Sequence, residues 1–221
     1  MKTLQKFGGF AALIDAATYL VAIGLFLTLL APMGNTELDF GQFMAFFMEN
    51  QMIVFIWDLL SYMVNGVFLV ILVLALYDRL KAGSPAMAQV ATVLGLIWAV
   101  MVFASGFITI YGYEVLANLY GKDPAQAATL KLVLETVTLG LDHSDRFLGC
   151  LWVLLVSWAA LRSGALPKAL NYFGLVIGMP GIISTLFAAF NELGIAFGLG
   201  IIVWWIWLGI VMLRNNPSRA A

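Results

Sequence analysis

Cysteine and histidine are each present only once, as Cys150 and His143, and charge is scarce: 11 Lys and Arg against 12 Asp and Glu in 221 residues. A single cysteine excludes an intramolecular disulfide and every CxxC redox or metal motif. A single histidine excludes the multi-histidine sites of membrane metallohydrolases. With a net charge of -1 and no basic tract, the chain offers no footprint for a nucleic acid, and none is expected as a partner. Polar stretches long enough to build a soluble domain are lacking as well. What fills the chain is apolar: 63% of residues are hydrophobic and mean hydropathy is +0.99, whereas a soluble domain runs about half apolar and a quarter charged. Such a chain dissolves in a lipid bilayer, which is its first partner.

The apolar runs predict an all-α, polytopic membrane helix bundle, a single domain over residues 1–221 with spans at about 9–31, 53–77, 88–113, 141–161, 170–190 and 194–213. The first run carries Asp15 and exceeds the apolar core of a cleaved signal peptide, so it is expected to stay. Short interfacial helices are expected in the extracytoplasmic loops. One lies within Pro32 to Gln51, where Phe40, Phe43, Phe46 and Phe47 gather on one side of a helix. A second begins at Asp123-Pro124 with Gln126 in the first turn and repeats Leu130, Val133, Leu134, Val137 and Leu141 at helical spacing, a surface helix leading into span four. In span five, Gly174 and Gly178 four residues apart predict close packing, and Pro180 a kink. No internal repeat supports an inverted-repeat transporter.

Lys2, Lys6, Arg79, Lys81, Arg162, Lys168, Arg214 and Arg219 fall on one side of this topology, and Lys122, Lys131 and Arg146 on the other. By the positive-inside rule both termini are expected in the cytoplasm, with the bundle in the cell membrane.

The most polar stretch near a span is LGLDHSDRFLGCLW, residues 139–152. Polar groups at the mouth of a hydrophobic helix are costly unless they face water, a partner or the bundle interior. In span two, Asp58, Ser61, Tyr62 and Asn65 fall on one helical face. Placed in the topology, Asp58, Asp142, His143, Asp145 and Arg146, together with Glu114 and Glu192, are expected to border one outward-opening pocket floored by Tyr62 and Asn65. There His143 would titrate beside Asp58. The competing reading is an i, i+4 pair of Asp142 with Arg146 at a wet helix end. A metal held by His143, Asp142, Asp145 and either Asp58 or Glu114 is a sharper version, but the ligand pattern does not support assigning one. Cys150, two turns beyond His143, lies too deep to pair with it and reads as a packing residue, while Ser144 and His143, adjacent in sequence, do not face each other as nucleophile and base. Asp15 forms a second polar site, either an interhelical hydrogen bond or part of an ion or proton path, with Thr18 and Tyr19 on its face.

The run LWVLLVSWAALRSGALPKALNYFGLVIGMPG, residues 151–181, resembles a bacterial membrane family catalogued as a domain of unknown function (DUF4386). Arg162, Ser163, Gly164, Leu166, Pro167, Lys168 and Gly174 carry the match, and KFGGFAALIDAATYLVAIGLFLTLL is similar to that family's first span. The resemblance implies a six-span protein over the full length. It supplies no catalytic residue, cofactor or established activity.

Three function classes follow from the residues. The first is an integral membrane protein whose outward-facing pocket binds or transports a small molecule or protons. The second is a structural or accessory subunit of a membrane complex, or a homo-oligomer, without its own ligand. The third is an intramembrane metal-dependent enzyme; no enzyme activity is assigned.

Overall fold

The computed structural model describes residues 2–35 and 37–214, and all regular structure in it is helical. Arg219 and the C-terminal end, which enter the charge asymmetry above, lie outside the described residues. Eight α-helices follow one another: α1 (Lys2–Thr28), α2 (Phe40–Glu49), α3 (Gln51–Asp58), α4 (Asn65–Leu80), α5 (Pro85–Tyr120), α6 (Pro124–Ser163), α7 (Lys168–Leu186) and α8 (Leu193–Arg214). A π-helical turn, Leu59–Val64, joins α3 to α4 within one span. Among the described residues six helices are long and apolar enough to cross a membrane: α1, the α3–α4 span, α5, α6, α7 and α8. The chain is a multi-pass membrane protein.

Each spanning helix packs on the next in sequence, and α8 returns to α1, closing a ring. Short connections make the neighbours antiparallel. Lys2 and Arg214 therefore share one end of the ring, the near end, with the α4–α5 and α6–α7 turns. The other three connections lie at the far end.

Small residues set the closest approaches. A Cβ on Gly9 would lie 2.8 Å from Leu213 Cγ, and one on Gly209 would lie 2.9 Å from the Gly9 carbonyl oxygen, so α1 and α8 cross backbone to backbone near their near-side ends. The predicted close packing of α7 is present. A Cβ on Gly174 would strike Ser157 and lie 2.8 Å from Trp204 Nε1, and one on Gly178 would lie 2.7 Å from Leu154. Pro180 sits inside α7, where it removes one backbone donor. Cys150 is fully buried, and a Cβ on Gly181 would strike its Sγ. Below the middle of the ring the interior is continuous and dry, with Ala12, Ala16, Leu69, Leu72, Leu76, Val156 and Leu208 all at most 1% exposed.

The α6–α7 turn explains its own sequence. Gly164 ends α6 in the left-handed conformation at φ 65°, where a side chain would be strained. Pro167 caps the start of α7, and Leu166 is buried. Arg79 reaches across from α4 and donates through Nε (3.0 Å) and Nη2 (2.8 Å) to the Ala165 carbonyl. One guanidinium thus ties the second span to the turn between the fourth and fifth.

Two elements differ from the sequence reading. The segment expected to form a separate surface helix is continuous with span four, giving a 40-residue α6 of about 60 Å, twice the ~30 Å hydrocarbon core. No proline interrupts it after Pro124, and Gly140 points into open space, so nothing forces a break. The extension is braced by α5, where Leu134 fills the place a Cβ on Gly112 would take. α2 is helical as expected, with Asp39 and Gln42 closing a capping box, but its aromatic side is buried against these extensions. Phe47 stacks on Tyr113 at 5.0 Å, Phe40 meets Tyr120 edge-on, and the Lys131 ammonium lies 4.3 Å from the Phe43 ring.

Candidate functional site

The far half of the ring is not filled. A cavity of about 750 Å³ lies between α1, the α3–α4 span, α5, α6 and α8. Tyr19 and Phe26 of α1, Trp57 and Tyr62 of the second span, Trp98 of α5 and Phe197 of α8 give it an aromatic wall. Asp142, Asp145 and Arg146 of α6 give it charge, and Ser61 a hydroxyl.

Helical spacing explains this selection. Positions 142, 145 and 146 are i, i+3 and i+4, so they share the inward face of α6 with the buried Gly149. Position 143 is rotated about 100° away from 142. His143 therefore lines a separate groove of about 430 Å³ with Met101, Ser144, Phe147, Leu148, Thr185 and Leu186, and its Nδ1 lies 2.9 Å from the Leu139 carbonyl. The structure does not bring His143 to Asp58 or to the acidic pair. Asp58 itself is 1% exposed, buried one turn above Ser61, and is not part of the cavity wall. Glu114 and Glu192 are exposed and line neither space. Among the described residues no three His, Cys, Asp or Glu side chains gather as a metal ion would require.

Within the cavity two of the three charges have a defined hydrogen-bond partner. Asp145 is half-buried and accepts a 2.6 Å hydrogen bond from Trp98 Nε1. Arg146 turns toward the α7–α8 connection, where Nη1 donates to Asn191 Oδ1 at 3.1 Å. Its guanidinium passes over Gly194, whose missing side chain leaves the room: a Cβ there would lie 2.5 Å from Nη1. Among the described residues Arg146 forms no ion pair with Asp142 or Asp145, so the i, i+4 pair that would have made this stretch an ordinary wet helix end is absent. The walls are stiffened by aromatic contacts. Trp98 stacks on Trp205 at 6.2 Å and leans on Trp152 at 5.5 Å, Tyr19 meets Trp205 edge-on at 5.0 Å, and Trp57 meets Tyr62 edge-on at 6.0 Å. Trp57 Nε1 donates to the Ala22 carbonyl at 2.9 Å, fixing the second span against α1.

The floor is polar and then closed. One turn below Tyr62 and Tyr19, Asn65 Nδ2 donates to Asp15 Oδ1 at 3.3 Å between two fully buried residues. Among the described residues no Lys or Arg pairs with Asp15; the partner is an amide from the neighbouring span. Asn65, expected in the pocket floor, belongs to this pair and not to the cavity wall.

α1 and α8 together form one side of the cavity. They touch at Gly9 and Gly209, and nearer the far end Gly24 and Gly198 have nothing within 4 Å of a Cβ position. Three wall residues there, Leu27 (70%), Ile195 (66%) and Leu199 (56%), are exposed.

The model of the family described as "Domain of unknown function (DUF4386)" matches residues 16–214, reaching into all six spans. The chain belongs to the DUF4386 family. No protein of curated function and no solved structure matches it. The DUF4386 match includes every residue of the cavity wall and begins one residue after Asp15.

Apart from Tyr62, which was expected in the pocket floor, the aromatic wall is what the sequence reading missed. Trp98 carried a usable signal, because an indole N–H within a lipid-embedded helix calls for an acceptor, and Asp145 is the nearest carboxylate by depth.

Proposed function

We propose that this protein binds a small apolar or amphiphilic molecule in the far-side cavity, with the polar end of the ligand at Asp142, Asp145, Arg146, Tyr62 and Ser61. The observation that carries this reading is the combination of a large, mostly apolar cavity with a few convergent polar groups, which is the usual form of a small-molecule site. Below the cavity the Asp15–Asn65 pair and the packed alanines and leucines leave the near half closed, so the site is accessible from one side only. By the placement of Lys6, Arg79, Lys81, Arg162, Lys168 and Arg214 at the near end, that end faces the cytoplasm of a bacterial inner membrane and the cavity opens outward.

The test uses N-phenyl-1-naphthylamine, a neutral fluorophore that accepts energy from tryptophan, titrated into the protein in lipid nanodiscs. Trp57 and Trp98 line the cavity and serve as donors. Gly198→Phe puts a ring at a lining position whose Cβ would have nothing within 4 Å, reducing the space in the cavity. The expected result is saturable energy transfer that the variant loses. Transfer that only tracks lipid content, equal in both proteins, would count against the site.

A further inference from the structure

We propose that the ligand of this cavity is a lipophilic organic cation, an amine or quaternary onium group carried on an apolar body. This rests on the cavity being a ligand site and assigns the chemistry of its occupant.

Two sets of groups select the sign of the charge. The carboxylates of Asp142 and Asp145 share the wall, and neither has a cation within ion-pair distance among the described residues. The one basic group present, Arg146, is occupied at the mouth by Asn191. On the same wall stand the half-buried rings of Tyr19, Trp57 and Tyr62, while Trp98, stacked on Trp205, presents its N–H edge to Asp145. The negative face of an aromatic ring attracts a cation, most strongly for tryptophan, and aromatic enclosures are a recurrent way of holding quaternary ammonium groups. With two carboxylates against the one guanidinium of Arg146, the described wall carries a net negative charge and gains by meeting a positive ligand, whereas an anion meets both the carboxylates and the negative ring faces. Ser61 Oγ, enclosed and without a protein partner, supplies a further acceptor on the same wall.

The apolar character of the ligand comes from the rest of the wall. Leu27, Ile195 and Leu199 of α1 and α8 line the cavity together with Ala22, Ile23 and Ile201, so the body of the ligand meets hydrocarbon side chains.

Tetraphenylphosphonium and tetraphenylborate have nearly the same size and shape and opposite charge, so together they separate charge from fit. Binding of each to the protein in nanodiscs is measured calorimetrically against empty nanodiscs, the site-specific part being what Gly198→Phe removes. Tetraphenylphosphonium is expected to bind at least about tenfold more tightly than the borate, a factor equal to one well-placed charge interaction. The double variant Asp142→Asn, Asp145→Asn keeps an acceptor for Trp98 and should lose that preference, the two ions then binding within about threefold of each other, while a cooperative thermal melt shows that it is folded. Arg146→Gln should strengthen the phosphonium, opposite in direction. Equal or tighter binding of the borate, or a phosphonium affinity that survives the double variant, overturns the cation assignment and leaves the cavity as a neutral site. Failure of all three probes overturns the cavity reading itself.

Discussion

The indole Nε1–H of Trp98 donates to Oδ1 of Asp145 across 2.6 Å, joining α5 to α6 in the wall of the cavity. The bond holds in place a carboxylate that, among the described residues, has no cation within ion-pair distance, and it sets the plane of a ring that also leans on Trp152 and Trp205. Trp98→Phe keeps an aromatic body and removes the donor. It should lower unfolding free energy in mixed micelles by about 1.5–3 kcal/mol, the usual worth of a hydrogen bond to a charged group. Asp145→Asn, which can still accept, should cost less. Equal costs for the two changes would show that the bond contributes nothing beyond ring packing.

The glycines separate into two kinds, and alanine substitution should distinguish them by sign. Gly174→Ala drives a methyl into Ser157 and toward Trp204, so it should destabilise by about 1–3 kcal/mol. Gly24→Ala meets nothing within 4 Å, and the better helix propensity of alanine, up to about 1 kcal/mol, should leave it neutral or stabilising. Melting temperatures of the two variants shifting in the same direction by similar amounts would contradict the packing of α7 against α6 and α8.

Asp15 and Asn65 should be energetically coupled. A double-mutant cycle of Asp15→Ala and Asn65→Ala should give an interaction energy of about 0.6 kcal/mol and at most about 1.7, the range of interhelical hydrogen bonds in membranes. Asp15→Asn, which retains hydrogen bonding, should be milder than Asp15→Ala. Strict additivity of the cycle would mean that the 3.3 Å contact is not a working bond.

Asp58 and His143, in contrast, should be independent. His143 lines its own groove beside Thr185 and Leu186, and Asp58 is buried on another helix. The stability effects of Asp58→Asn and His143→Gln are expected to add within about 0.5 kcal/mol. A larger deviation would restore the shared pocket expected from the sequence.

That difference shows what the sequence carried and what it did not. The six spans were legible because a bilayer demands about 20 apolar residues per crossing, and the near-side charges marked the turns. The interhelical hydrogen bond at Asp15 was legible as a need, since a carboxylate at that depth requires a partner, although Asn65 was instead assigned to the pocket floor. The inward face of α6 was partly legible: Asp142, Asp145 and Arg146 stand at i, i+3 and i+4. Grouping His143 with them treated closeness in sequence as closeness in space, against the 100° advance per residue. The continuity of α6 through Gly140, the burial of α2 and the aromatic wall depend on which helices become neighbours, and no local pattern in one span specifies that.

The orientation is tested by reporter fusions. A fusion after Arg214 should report the cytoplasm and an insertion at Gly121 or Lys122, between α5 and α6, the opposite side. The same side at both sites would break the six-span ring.

The most direct measurement concerns residue 62, whose side chain lines the cavity in the wall of the second span. In a Cys150→Ala background, Tyr62→Cys leaves a single thiol facing the space that the phenol vacates. A membrane-impermeant maleimide added to intact cells should modify it, N-phenyl-1-naphthylamine should slow the reaction, and the same reagent presented to inside-out vesicles should leave it untouched. Modification from the cytoplasmic side alone, or a labelling rate that the probe does not change, would contradict an outward-opening cavity that holds a ligand.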